Sequence, residues 1–93
     1  MLSIIRFSDE EQAIEIANDI AFGLAAGVWT QSVKRAIKVS NAIRAGTVWV
    51  NTYRAVSFTS PFGGYKQSGI GRDLGMHALD GYSEIKNIFI AEP

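Results

Sequence analysis

Apolar and polar positions alternate between two periods along the chain, and the changes of period mark the elements. Leu2 to Phe7 is a short apolar, β-branched run that reads as a buried strand. Ser8 offers an N-cap with Glu11 three residues on, the spacing of a capping box. Ile14, Ala17, Ile20 and Ala21 then recur at helical spacing, with Glu10, Glu11, Glu15 and Asp19 on the other side and Gly23 as the stop. A second strand is expected over Ala26 to Thr30. Gln31-Ser32 opens a second helix whose inner face is Val33, Ala36, Ile37, Ser40 and Ile43; Lys34, Arg35 and Lys38 are expected to face water, and Gly46 ends it. Thr47 to Asn51 is β-branched and aromatic and reads as a third strand. Strands alternating with helices of this length predict βαβ units and a parallel sheet.

The pattern breaks from Thr52 to Gly71. Pro61, Gly63, Gly64, Gly69 and Gly71 punctuate a stretch without a period, while Tyr53, Phe58, Phe62 and Tyr65 supply the apolar surface that disordered segments lack. The expectation is an ordered loop. Arg72 to Tyr82 again has helical spacing, with Leu74, Ala78, Leu79 and Tyr82 inward. Glu84 to Ala91 alternates as a strand with apolar residues on both faces, an edge in need of a partner. The fold class predicted is α/β: a short, three-stranded parallel βαβαβ sheet followed by a long ordered loop, a helix and a last strand.

Composition narrows the chemistry. The chain has 93 residues, no cysteine and a single histidine, His77, so neither a disulfide framework nor a protein metal site is expected. A domain of this size is marginal without such supports, which leaves self-association. Net charge is zero, which argues against nucleic acid as a partner. The acidic residues crowd the first third and Lys34, Arg35, Lys38 and Arg44 follow. This pattern reads as two solvated helix faces, with contact between copies as the sharper alternative. No apolar run approaches the roughly 18 residues of a membrane span, and Met1 to Arg6 lacks the form of a signal peptide, so the cytoplasm is the expected compartment.

No catalytic or cofactor-binding set emerges from the residues themselves. In Gly69-Ile70-Gly71-Arg72-Asp73-Leu74-Gly75 the sixth place of a dinucleotide fingerprint is Leu74, and no strand directly precedes the cluster. Gly64 is followed by Tyr65, which excludes a phosphate loop. His77 has Asp73 and Asp80 within a helical turn but no nucleophile, so it reads as a surface or partner-contact histidine. Trp49, Tyr53 and Phe62 read as core aromatics or as the wall of an apolar pocket.

Three stretches together carry a resemblance. Ala13 to Thr30, Ala45-Gly46-Thr47-Val48-Trp49-Val50-Asn51, and Ser60-Pro61-Phe62-Gly63-Gly64-Tyr65-Lys66-Gln67-Ser68-Gly69-Ile70-Gly71-Arg72-Asp73-Leu74-Gly75 are similar, in order and spacing, to the C-terminal part of NAD(P)-dependent aldehyde dehydrogenases. In that family a cysteine thiolate attacks the aldehyde, hydride passes to NAD or NADP, and a glutamate-activated water releases the acid. The resemblance implies that the cysteine, the glutamate and the cofactor domain all precede the matched region, so this chain alone binds no cofactor and is expected to be inactive. Its motif Glu-x-Phe-Gly-Pro-Val would stand just before Leu2, which suggests a truncated reading frame or a piece cut from a longer chain. By motif position Phe62, Arg54 and Val56 would line the substrate tunnel of a full-length parent. Residues 1–83 would belong to the catalytic domain and residues 84–93 to the oligomerisation strand, with Ile85, Lys86, Asn87, Ile88, Phe89 and Ile90 as contacts. Two expectations follow for the isolated chain: self-association into a homo-oligomer through that strand, or completion in trans by a chain carrying the cysteine and cofactor domain. A nucleotide-binding module is the third and poorest reading, because the fingerprint is broken.

Overall fold

A computed structural model describes residues 1–93. In chain order the elements are α1 (Glu10–Asn18), β1 (Phe22–Gly23), β2 (Ala25–Val28), α2 (Val33–Ala42), β3 (Thr47–Val50), β4 (Tyr65–Lys66) and α3 (Ala78–Gly81). β2 and β3 pair in parallel, Ala25 opposite Thr47 through Val28 opposite Val50, with α2 as the crossover. β1 and β4 pair antiparallel, Phe22 opposite Lys66 and Gly23 opposite Tyr65. The α/β class stands, and β2–α2–β3 is the parallel unit that the β-branched run at Thr47 predicts.

The sheet is narrower than the sequence pattern suggests. Residues 1–7 and 83–93 are in no ladder, so the expected first and last strands do not form within the chain and the parallel sheet has two strands instead of three. The physical reason is the absence of a partner. Alternation sets which face a strand would bury, but backbone N–H and C=O groups need a second strand to complete the ladder. The helix expected from Arg72 shrinks to the single turn of α3, because Leu74 and Gly75 both sit at positive φ, 63° and 61°. A right-handed helix cannot pass through two such residues.

Helix starts follow capping chemistry. Ser32 caps α2 by accepting from the Arg35 N–H. α1 begins one residue later than Ser8 suggests: Asp9 is the N-cap and accepts from the Gln12 N–H at 2.8 Å, while the Gln12 carboxamide oxygen accepts from the Ser8 N–H and hydroxyl. Asp9 thus caps the helix while Gln12 reaches back one residue further, to Ser8, in place of the expected Ser8–Glu11 box. α1 ends at Asn18, well before Gly23. The inner face of α2 also shifts: Ala36, Val39, Ser40 and Ala42 are half-buried while Val33 and Ile37 remain exposed.

Charge does more than solvate. Arg35 and Lys38 of α2 are exposed, as their pattern predicts, and at the same time pair with α1. Arg35 donates to Glu10 at 2.8 Å, and Lys38 reaches both Glu10 and Glu11 at 2.7 Å. The acidic and basic clusters therefore meet within one chain. Lys38, then Arg35, hold the Glu10 carboxyl below its ordinary range, and Lys38 does the same to Glu11; in return the two carboxylates hold the Lys38 ammonium above its own.

What is missing is an interior. No hydrophobic side chain is buried, and the only two buried residues are Gly23 and Gly64. The surface is 8147 Å² for a 10.1 kDa chain, whereas a compact monomer of that mass exposes about 5,300 Å². The radius of gyration is 18.5 Å, against about 12 Å for a compact domain of this length. The excess is about 2,900 Å², and the two unladdered ends contribute to it: Ile4, Ile85, Phe89 and Ile90 are each more than four-fifths exposed.

Candidate functional site

The segment from Ser60 to Gly75 is built as a clip. Its turn over Tyr65 to Gly69, closed by Ser68 N–H to Tyr65 C=O, docks on the turn between α1 and β1. The Lys66 ammonium donates to the Asn18 carbonyl at 2.8 Å and to the Ile20 carbonyl at 3.1 Å. The Asn18 carbonyl is the last of α1, where the final carbonyls lack helical partners and carry partial negative charge; Ile20 lies just past the C-cap. The Gln67 N–H donates to the Ala21 carbonyl, and the Ser68 hydroxyl accepts from the N–H of buried Gly23 at 3.0 Å. Gly64 is required here: a Cβ at that position would meet the backbone carbonyl of Ser68 at 2.7 Å. From the other side the Arg72 guanidinium donates to the Gly64 carbonyl at 2.9 Å and lies over the Tyr65 ring.

Phe62 sits inside this clip. Its N–H and C=O exchange bonds of 2.8 Å with Asp73, and its side chain is half-buried beside an open concavity of about 860 Å³ that also meets Arg72, His77 and Tyr82. Arg54 and Val56 stand elsewhere. Both lie on the exposed loop after β3, Arg54 at φ 61° with its guanidinium over the Tyr53 ring and Val56 largely open to solvent. The loop is tied at Trp49, whose indole N–H donates to the Ala55 carbonyl at 2.7 Å and whose ring meets Tyr53 edge-on at 5.4 Å. The structure thus fixes Phe62 and the Arg54–Val56 loop by separate contacts and does not bring the three into one cavity.

Two asparagines hold the rest of the framework. Asn51, at φ 55°, accepts from the Thr30 N–H and donates to the Thr30 C=O, extending the β2–β3 pair by one side-chain rung. Asn18 accepts from the Arg44 N–H and donates to the Ala42 carbonyl, joining the ends of α1 and α2. Sequence reasoning passes over Lys66, Ser68, Asn18 and Asn51, because a lysine in a glycine-rich turn and an asparagine beside a strand read as solvated. The available signal was Asn51 directly after a β-branched run, a position that tolerates positive φ.

His77 is exposed, with Nδ1 3.9 Å from an Asp80 carboxylate oxygen, and faces no nucleophile. Nor do these residues fit a dinucleotide. The cluster Gly69 to Gly75 leads through Leu74 and Gly75 at positive φ into the one-turn α3, so no extended helix N-terminus points at a phosphate position. No cluster of His, Cys, Asp or Glu could hold a metal ion. No helix is long and apolar enough to cross a membrane.

Comparison with known proteins places this arrangement. Residues 1–88 match the model of the aldehyde dehydrogenase family. An aldehyde dehydrogenase of Emericella nidulans is 52% identical over 88 residues, covering 95% of this chain and 18% of its own length. One of Enchytraeus buchholzi is 48% identical over 90 residues, covering 97% and 18%. Among solved structures, an indole-3-acetaldehyde dehydrogenase in apo form is 52% identical with a TM-score of 0.88, over 92% of this chain and 20% of that one. An aldehyde dehydrogenase from Bacillus cereus in complex with NAD+ is 54% identical with a TM-score of 0.84, over 90% and 17%. The chain spans 18% of the length of the curated relatives it matches.

Proposed function

Because the chain belongs to the aldehyde dehydrogenase family, we propose that it is the C-terminal part of an enzyme that oxidises an aldehyde to a carboxylic acid with NAD or NADP. Residues 1–83 complete the catalytic domain, and residues 84–93 form the oligomerisation strand. The observation that carries the reading is the family match running through residues 1–88, in relatives more than five times longer. Covalent catalysis on an aldehyde needs an activated thiol to form the thiohemiacetal, and this chain has no cysteine. Its own contribution is the framework that fixes Phe62, with Arg54 and Val56 on the neighbouring loop, as part of the substrate tunnel. The whole enzyme works in the cytoplasm.

A chimera tests this. Residues 1–93 replace the matching segment of the Emericella nidulans relative, and NADH formation is followed over a panel of aldehydes. An active chimera is expected, together with no turnover by the 93-residue chain alone. A chimera that binds NAD and melts like its parent yet oxidises no aldehyde would overturn the reading.

Alone, the chain self-associates through Ile85, Lys86, Asn87, Ile88, Phe89 and Ile90. The exposure of this alternating run and the excess surface favour it. Size-exclusion chromatography with light scattering should give an oligomer for the chain and a monomer for Ile88→Lys; a monomer for both refutes self-association. The alternative, completion in trans, predicts NADH formation when the chain is mixed with a parent truncated before this segment.

A further inference from the structure

We propose that Lys66 is a positioning residue, one that sets the substrate-wall residue Phe62 by tying its segment to the C-terminal end of α1. The proposal rests on the reading of Phe62 as part of the tunnel wall.

Phe62 has no long-range backbone anchor of its own except the exchange with Asp73, which belongs to the same segment. That local bridge fixes the shape of the segment but not its place on the fold. Its place is set by the β1–β4 pairing, by the close approach of Gly63 to Gly46, and by four bonds between the Lys66–Ser68 turn and residues 18–23: the ammonium to the Asn18 and Ile20 carbonyls, the Gln67 N–H to the Ala21 carbonyl, and the Gly23 N–H to the Ser68 hydroxyl. Only the Lys66 contact is charge-assisted, and it also completes carbonyls at a helix end. Lys66 holds φ 53°, a left-handed conformation in which its ammonium reaches back to α1 while its backbone continues the pairing with Phe22. Arg72 carries the tie inward, since its bond to the Gly64 carbonyl and its place over Tyr65 make the turn and the Phe62 strand move together. The chain of contacts therefore runs from α1 through Lys66 and the turn to Gly64 and Phe62.

The test uses the active chimera and an aldehyde with a bulky apolar substituent. Lys66→Met keeps the stem and removes the donors. It should raise KM about tenfold, the effect of losing one charged hydrogen-bonded tie, with kcat within about twofold. Lys66→Arg restores two donors and should return KM to near the parent value. The deciding arm is a cycle with Phe62→Ala: once the ring is gone, Lys66→Met should change KM no further. If the two effects multiply instead, Lys66 supports the fold generally and the proposal falls. If Phe62→Ala leaves KM unchanged in an active chimera, the wall reading fails and takes the proposal with it. Should Lys66→Met fail to fold, Lys66→Gln, which keeps an amide donor group but no charge, decides by the same cycle.

Discussion

Gly46 stands at the entry to β3, where three segments cross. Its N–H donates to the Gly23 carbonyl at 3.0 Å, and the next residue bonds Leu24. A Cβ added at position 46 would collide with the Gly63 carbonyl oxygen and lie 2.7 Å from the Gly63 carbonyl carbon. Ordinary contact between two such carbons is about 3.5–4.0 Å, and the carbonyl oxygen is closer still, so the backbone at Gly63 must retreat by well over an ångström. It cannot do so freely: Gly64 is packed against Ser68, and Phe62 is bridged to Asp73. Overpacking against a fixed backbone costs about 1–3 kcal/mol, and loss of the Gly46–Gly23 bond adds about 1 kcal/mol. Gly46→Ala should therefore destabilise the chain by about 2–4 kcal/mol. The matched control is Gly71→Ala, where the new methyl meets nothing within 4 Å. Urea unfolding, followed by the fluorescence of Trp29 and Trp49 at fixed chain concentration, should show a midpoint far below that of the control. Equal midpoints for the two variants would refute the argument that the Gly46–Gly63 crossing is sterically closed.

The cross-helix charge cluster predicts a pH dependence with a definite sign. Glu10 and Glu11 are lowered from the ordinary 4.5, so their contribution is present above that value and lost as pH falls through their folded values; Lys38 is raised from 10.5, so its share is present below 10.5 and lost only at higher pH. Lys38→Met should flatten the acid limb of the stability curve below pH 4.5, and added salt should have part of the same effect. At Asn51, replacement by Ala removes both bonds to Thr30 and leaves a side chain at φ 55°; a loss of about 1–3 kcal/mol is expected. Asn51→Gly loses the same bonds without the conformational penalty and should unfold at a higher urea concentration than Asn51→Ala; the reverse order would show that backbone conformation is not what the asparagine serves.

How far the fold was readable follows from where each bond partner lies. Thr47 to Val50 declares a strand by its own composition, and Ser32 a helix start by its own hydroxyl, so β3 and α2 were legible from local residues. Leu2 to Phe7 and Glu84 to Ala91 have equally clear alternation, but a ladder is a property of two strands, and their partners are not supplied within the chain. The Asp9 cap won over Ser8 because both residues carry the right chemistry one position apart, a margin that composition does not resolve. Leu74 at positive φ defeats a helical pattern that side-chain spacing alone supports. The Lys66 clip was the least legible part, since a carbonyl 48 residues earlier in the chain decides what the ammonium does.

The loop after β3 has a consequence for how such a segment can change over generations. Two hooks suspend it: the Trp49 indole holding Ala55, and the Gly75 N–H holding the Phe58 carbonyl at 2.8 Å. The second hook uses only backbone atoms, so the side chains of Val56 and Phe58 are decoupled from it, whereas the Ser57 hydroxyl accepts from the Thr59 N–H. Substitutions at Val56 and Phe58 should therefore be nearly silent for folding while they alter the surface the loop presents. Drift can explore this stretch without first acquiring compensating changes elsewhere, whereas Gly46 and Gly64 admit almost no alternatives. A single short segment thus joins an immobile scaffold to a surface that can vary one substitution at a time.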